Sequence, residues 1–131
     1  MSETDAEQQV ATLVQRFYER ALADDALRPV FQQAISDWDT HHRVVGDFWS
    51  KTLLGTQRYQ GHPYVVHARL PLTNEHFARW LALFRATAEE VLSADLAAQA
   101  IARAEHMAES FQAGILSNPR YEGPTLWKSA L

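Results

Sequence analysis

The stretch YQGHPYVVHARLPL, Tyr59 to Leu72, separates two long segments of helical periodicity and carries two histidines, His62 and His67. Gly61, Pro63 and Pro71 punctuate it. Proline removes a backbone donor and glycine resists ordering, so no long helix runs through the stretch. A helical turn or two fits around Val65 to Leu70. The chain holds six histidines and places two of them here. The segments on either side decide the fold class, and the histidines pose the functional question.

On the N-terminal side, WDTHHRVVGDFWSKTLLG puts Trp38, His41, Val45, Phe48, Trp49, Thr52 and Leu53 on one helical side. It stops at Gly55, a helix C-cap. Before it, ADDALRPVFQQAI turns the chain: Asp24 and Asp25 are cap-like, and Pro29 starts a short segment with Phe31 and Ile35. The first segment repeats Val10, Leu13, Val14, Phe17, Tyr18, Ala21 and Leu22 over more than three turns. On the C-terminal side, TNEHFARWLALFRATAEEVLS is the cleanest helix, with Thr73 or Asn74 as its cap. Its stripe is Phe77, Trp80, Leu81, Phe84, Ala88, Val91 and Leu92. A last long helix runs from about Asp95 to Ile115, with Ala97, Ile101, Ala104, Met107, Ala108 and Phe111 inward. SNPRYEGPTLWKSAL reads as a loose tail. No repeat and no strand alternation appears, so the fold class is all-α, with about four main helices and some short ones.

The 131 residues suffice for one domain and one core. Its core spans about 8–116 and the tail 117–131. A net charge of −4, with Arg16, Arg43, Lys51 and Arg79 scattered, argues against a nucleic-acid surface. There is no cysteine, which removes disulfides, thiolate metal sites and thiol catalysis. The acidic, polar N-terminus is not a signal peptide, and no apolar run approaches a membrane span. A soluble cytoplasmic protein is expected.

Aromatic residues at helical spacing are core before they are anything else. No phosphate loop, HExxH, GxSxG or paired Glu-x-x-His motif is present, and Glu89-Glu90 and Asp24-Asp25 sit where solvated faces or caps belong. Among the histidines, His106 falls off the apolar stripe and His76 sits in the first turn of its helix, both expected at the surface. His41 and His42 are adjacent and point about 100° apart; only His41 shares the face of Val45, Phe48 and Trp49. Singly these are weak signals. Together, Tyr18, His41, His67 and Trp80 can converge on one cavity walled by Phe17, Phe31, Phe48, Trp49, Leu53, Phe84, Met107 and Phe111. A large, flat, apolar ligand with a metal at its centre suits it, with one histidine on the metal and a polar trio opposite.

The order FYER, LRPVF, WDTHHRVVGDFW, LLG, YQGHPYVVHARLPL and HFARWLALF resembles the group III truncated haemoglobins, over roughly Leu13 to Phe111. Several separate blocks match in order, including the Y-x-G-x-P-x-x-x-H run that ends on His67. The resemblance implies a two-over-two helical sandwich around non-covalent haem b. It implies His67 as the proximal iron ligand, and Tyr18, His41 and Trp80 on the distal side. Phe31 matches the aromatic that packs on the haem in globins. His62 is left as a turn residue. Arg43, Arg58 and Arg69 are candidates for the haem propionates.

The function so implied is binding of O2, CO and NO at ferrous iron, by a monomer that meets neither nucleic acid nor membrane. A second reading uses the same site as a haem enzyme, a peroxidase or NO dioxygenase; with no reductase domain in the chain, it needs a separate reductase. A third, from the residues alone, is a cofactor-free helical module that binds a partner protein.

Overall fold

A computed structural model of the chain describes residues 2–61 and 72–116, and every regular element in it is an α-helix: α1 Glu3–Ala21, α2 Leu27–Ala34, α3 Trp38–Leu54, α4 Asn74–Val91 and α5 Ala94–Leu116. The helical turn expected around Val65 to Leu70 and the tail at 117–131 lie outside the described residues.

Helix ends follow local chemistry. The Ser2 hydroxyl accepts from Asp5 N–H, and the Asp5 carboxylate accepts from Ser2 N–H. This capping box starts α1 at Glu3, well before the apolar periodicity that opens at Val10, and Ala6 is already buried. Asp24 Oδ1 accepts from Ala26 and Leu27 N–H and so starts α2; Asp25 instead pairs with Arg28 at the surface. Asp37 caps α3 through Thr40 N–H, and Gly55 ends it in the left-handed region at φ 76°. Of the two cap candidates on α4, Thr73 is the one used.

The helices form two pairs. α1 lies against α3, and α4 lies against α5. The pairs stack, α1 on α4 and α3 on α5, which makes a two-over-two sandwich. Ala97, Ala100, Ala104 and Ala108 line the buried stripe of α5, and their small side chains bring its backbone close to the others. Leu13, Phe84 and Ala88 fill the centre.

Polar links pin the edges. Arg20 donates to Thr87 Oγ1 at 3.0 Å, and Arg16 and Arg20 both pair with Glu90, tying α1 to α4. Thr87 itself is fully buried and donates to Leu83 O, a satisfied hydroxyl on an otherwise apolar stripe. Ser50, 1% exposed, donates to Glu7 and shares a hydrogen bond with Thr56. Arg58 donates to Glu7 at 2.8 Å, to Asp47 at 3.0 Å and to Ser50 at 2.9 Å. This clamp folds the chain after Gly55 back onto α1 and α3.

Asp24 also receives Arg79 from α4, at 3.2 Å. Burial pulls its carboxyl upward, but the N–H groups of Leu27 and Ala26 and the Arg79 guanidinium outweigh burial and hold it below the ordinary range. A depressed carboxyl stabilises the fold above its unfolded value and loses that contribution as pH falls through its folded value. Asp24→Ala is therefore expected to cost about 1 kcal/mol near neutral pH. In urea denaturation the gap from wild type should shrink from about pH 4 downward. A gap that stays constant into acid would contradict the assignment.

Candidate functional site

Phe17 and Tyr18 are adjacent on α1, so their rings leave the helix about 100° apart. Both are buried. Tyr18 meets Phe31 of α2 edge-on at 5.4 Å, and Trp38 and His41 of α3 at 5.7 and 4.6 Å. Phe17 meets Trp80 and Phe84 of α4, each at 5.9 Å. Between these helices lies a cavity. Its walls include Phe17, Tyr18, Phe31, His41, Phe48, Trp49, Trp80, Phe84, Met107 and Phe111. One side is a stack of three rings: Trp80 on Phe84 at 5.4 Å and 11°, and Phe84 on Trp49 at 4.7 Å and 24°.

The structure thus brings Tyr18, His41 and Trp80, from three different helices, to one space. Of the residues expected to wall it, Leu53 is the exception. It is buried in the core but does not line the cavity, because it sits a turn beyond Trp49 near the end of α3. His67, His62 and Arg69 lie outside the described residues.

His41 and His42 diverge on α3 and line different spaces. His41, 3% exposed, lines the cavity. His42 lines a groove on the outer side of α1 and α3, beside Glu19, Arg43, Asp47 and Arg58. Its ring packs on Tyr18 at 5.6 Å and on Trp38 at 5.8 Å. Its Nε2 is buried and has no hydrogen-bond partner among the described residues. Arg43 and Arg58 face that outer groove too, and Arg58 is committed to Glu7 and Asp47. Neither lines the cavity.

Two cavity residues escape a reading of periodicity. His76, expected at the surface, is half-buried and lines the cavity. The clue is its place in the Thr73-Asn74-Glu75-His76 box, next to the inward Phe77. Tyr59 lines it as well, half-buried against Phe48 at 5.3 Å. Its ring lies over Gly61, where a Cβ would come within 2.5 Å of the phenol oxygen. A side chain at 61 would require that ring to shift. His106 is exposed, as expected.

No Asp, Glu, Lys or Arg lines the cavity among the described residues. Its polar groups are Tyr18, His41, Tyr59, His76 and Trp80, set in apolar walls. No cluster of three His, Asp or Glu side chains that could cage a bare metal ion exists among the described residues. Burial raises the Tyr18 phenol far above its usual value and raises Tyr59 as well. Tyr18 therefore stays protonated in the fold.

An unfolded tyrosine ionises near pH 10, so above that pH the folded chain holds a proton that the unfolded chain releases. Stability must then fall as pH rises. Tyr18→Phe should flatten that alkaline decline, measured by urea denaturation at about pH 8 and about pH 10.5. An identical decline in the variant would show that Tyr18 is not the buried phenol responsible.

Among known proteins, the model of the bacterial-like globins matches residues 4–113. The Group 3 truncated hemoglobin ctb of Campylobacter jejuni is 34% identical over 115 residues, covering 84% of this chain and 91% of the relative. The crystal structure of the group III truncated hemoglobin from Campylobacter jejuni superposes with a TM-score of 0.77, covering 83% of this chain and 90% of that one. The paired helices, the aromatic cavity between them and these matches agree: the chain belongs to the globins, as a group III truncated haemoglobin.

Proposed function

We propose that this cavity would hold haem b non-covalently, with His67 supplying the protein's ligand to the iron and Tyr18, His41 and Trp80 supplying polar groups to a gas bound there. Haem binding and small gas ligands come with the globin family. The observation that carries the finer reading is the meeting of three polar side chains from α1, α3 and α4 in an otherwise apolar space. When bound, the haem supplies an iron centre that takes O2, CO or NO.

The chain's own residues do the rest. The aromatic walls match the flat faces of a porphyrin and exclude water. Tyr18 keeps its O–H proton because burial disfavours the phenolate. Trp80 Nε1–H is a donor in any state. In a space without competing water or charge, such donors act more strongly on a polar ligand than they would in solution. His41, edge-on to Tyr18, stands where a side chain can admit a ligand or add a proton.

The choice of His67 is supported by the motif that ends on it, and three of the other histidines stand where they would not serve that role. A histidine bound to iron through Nε2 carries its proton on Nδ1 and donates it to an acceptor. His76 Nδ1 instead accepts from Thr73 N–H, so its tautomer is wrong for that role. His106 is exposed and His42 faces the outer groove.

The test is the visible absorption spectrum of the haem-loaded, dithionite-reduced chain, before and after O2 and CO, beside His67→Ala. A five-coordinate ferrous spectrum that shifts with both gases, and is lost or altered in the variant, is expected. A spectrum indifferent to the substitution would move the axial role to another histidine, and a chain that takes up no haem would refute the reading.

A further inference from the structure

One polar corner of the cavity has no part in the reading above. His76 stands at the third position of α4, and its ring lines the cavity while remaining half-open to solvent. Thr73 N–H donates to its Nδ1 at 3.0 Å, and the Thr73 hydroxyl lies 3.1 Å from the same nitrogen. A backbone amide can only donate. Nδ1 must therefore offer a lone pair, and the neutral ring keeps its proton on Nε2. The capping box thus fixes the tautomer and turns the donor edge away from the helix end. No hydrogen bond reaches Nε2 among the described residues.

Haem b carries two propionate carboxylates at one edge, and a carboxylate taken from water needs donors. Of the arginines nominated for the propionates, Arg43 and Arg58 face the outer groove, and Arg69 lies outside the described residues. Around His76 the chemistry favours an anion twice over. The ring presents an N–H, and the N-terminus of an 18-residue helix contributes its dipole. The part of the cavity that reaches solvent lets the remaining oxygen lone pairs keep water. The geometry points to His76 as a carboxylate-binding residue for the cofactor, Nε2–H donating to a propionate oxygen. This assignment rests on the haem reading.

The experiment follows haem release from the full chain into excess apomyoglobin, for wild type and His76→Glu, with protohaem and with protohaem dimethyl ester. Glutamate is a standard third-position partner in a capping box, so α4 keeps its start while the donor becomes an anion. His76→Glu is expected to release protohaem about tenfold faster or more, as loss of one hydrogen bond to a charged acceptor implies. It should release the ester at the wild-type rate. Equal acceleration with both porphyrins would reduce His76 to packing, and no acceleration with either would overturn the assignment outright. A second measurement needs no variant: nitrogen-15 imidazole spectra of the wild-type chain loaded with diamagnetic zinc protoporphyrin. The Nε2–H tautomer is expected, with its proton shifted relative to the ester-loaded chain; an Nδ1–H tautomer overturns the proposal. A wild-type chain that takes up neither porphyrin refutes the haem reading itself, an outcome distinct from normal uptake without a His76 effect.

Discussion

The contact of Phe17 with Tyr18, rings 5.0 Å apart and nearly perpendicular, is the point from which α1 engages α2, α3 and α4. From Tyr18 the edge-on contacts run to α2 and α3, and from Phe17 they run to α4. From there Trp49 and Phe84 continue the ring contacts between α3 and α4, and α5 closes the far side with Met107 and Phe111. Each such ring pair contributes about 0.5–1.5 kcal/mol beyond the area it buries. Two adjacent residues can serve two helix pairs because successive side chains on a helix diverge by about 100°. The space those rings cannot fill is the cavity, so the fold and the binding site share one cause.

Charge is sorted around that hub. Arg58, Glu7 and Asp47 lie on the outer side with the buried hydroxyl of Ser50 among them. Arg16, Arg20 and Glu90 join the helix ends at the surface. These exposed pairs add little stability one by one. Their placement nonetheless keeps ions out of the cavity among the described residues, leaving neutral donors in a low-dielectric space. Tyr18 records the consequence, since burial raises its phenol above the ordinary value and extends the protonated form further into alkali.

Helix caps do more than end helices here. Asp37 fixes the first turn of α3 through Thr40 N–H, and the next residue on that turn is His41. Thr73 fixes the first turn of α4 through His76 and, in the same hydrogen bonds, sets the tautomer of that ring. In the second case a polar residue outside the cavity decides the orientation of an imidazole at its wall. Local backbone chemistry therefore reaches the site without any residue being added to it.

The helical segments, the stop at Gly55 and a cap at Thr73 or Asn74 were determined by the sequence alone, because periodicity and capping are local in origin. So was the inward set of Tyr18, His41 and Trp80, whose spacing matches the apolar stripes, and the order of motif blocks carried the family. Other features depended on partners distant in the chain. Ser50 is polar yet buried, which its bonds to Glu7, Thr56 and Arg58 allow, and buried Thr87 accepts from Arg20 of another helix. Arg58 reads as a free cation until Glu7 and Asp47 are seen to hold it. Leu53 has the right face but the wrong height on α3, and His76 has a surface position in its helix but a cavity beside it. A one-dimensional pattern records which face of a helix is apolar. What that face touches, and at which level along the axis, exists only once the two pairs are stacked.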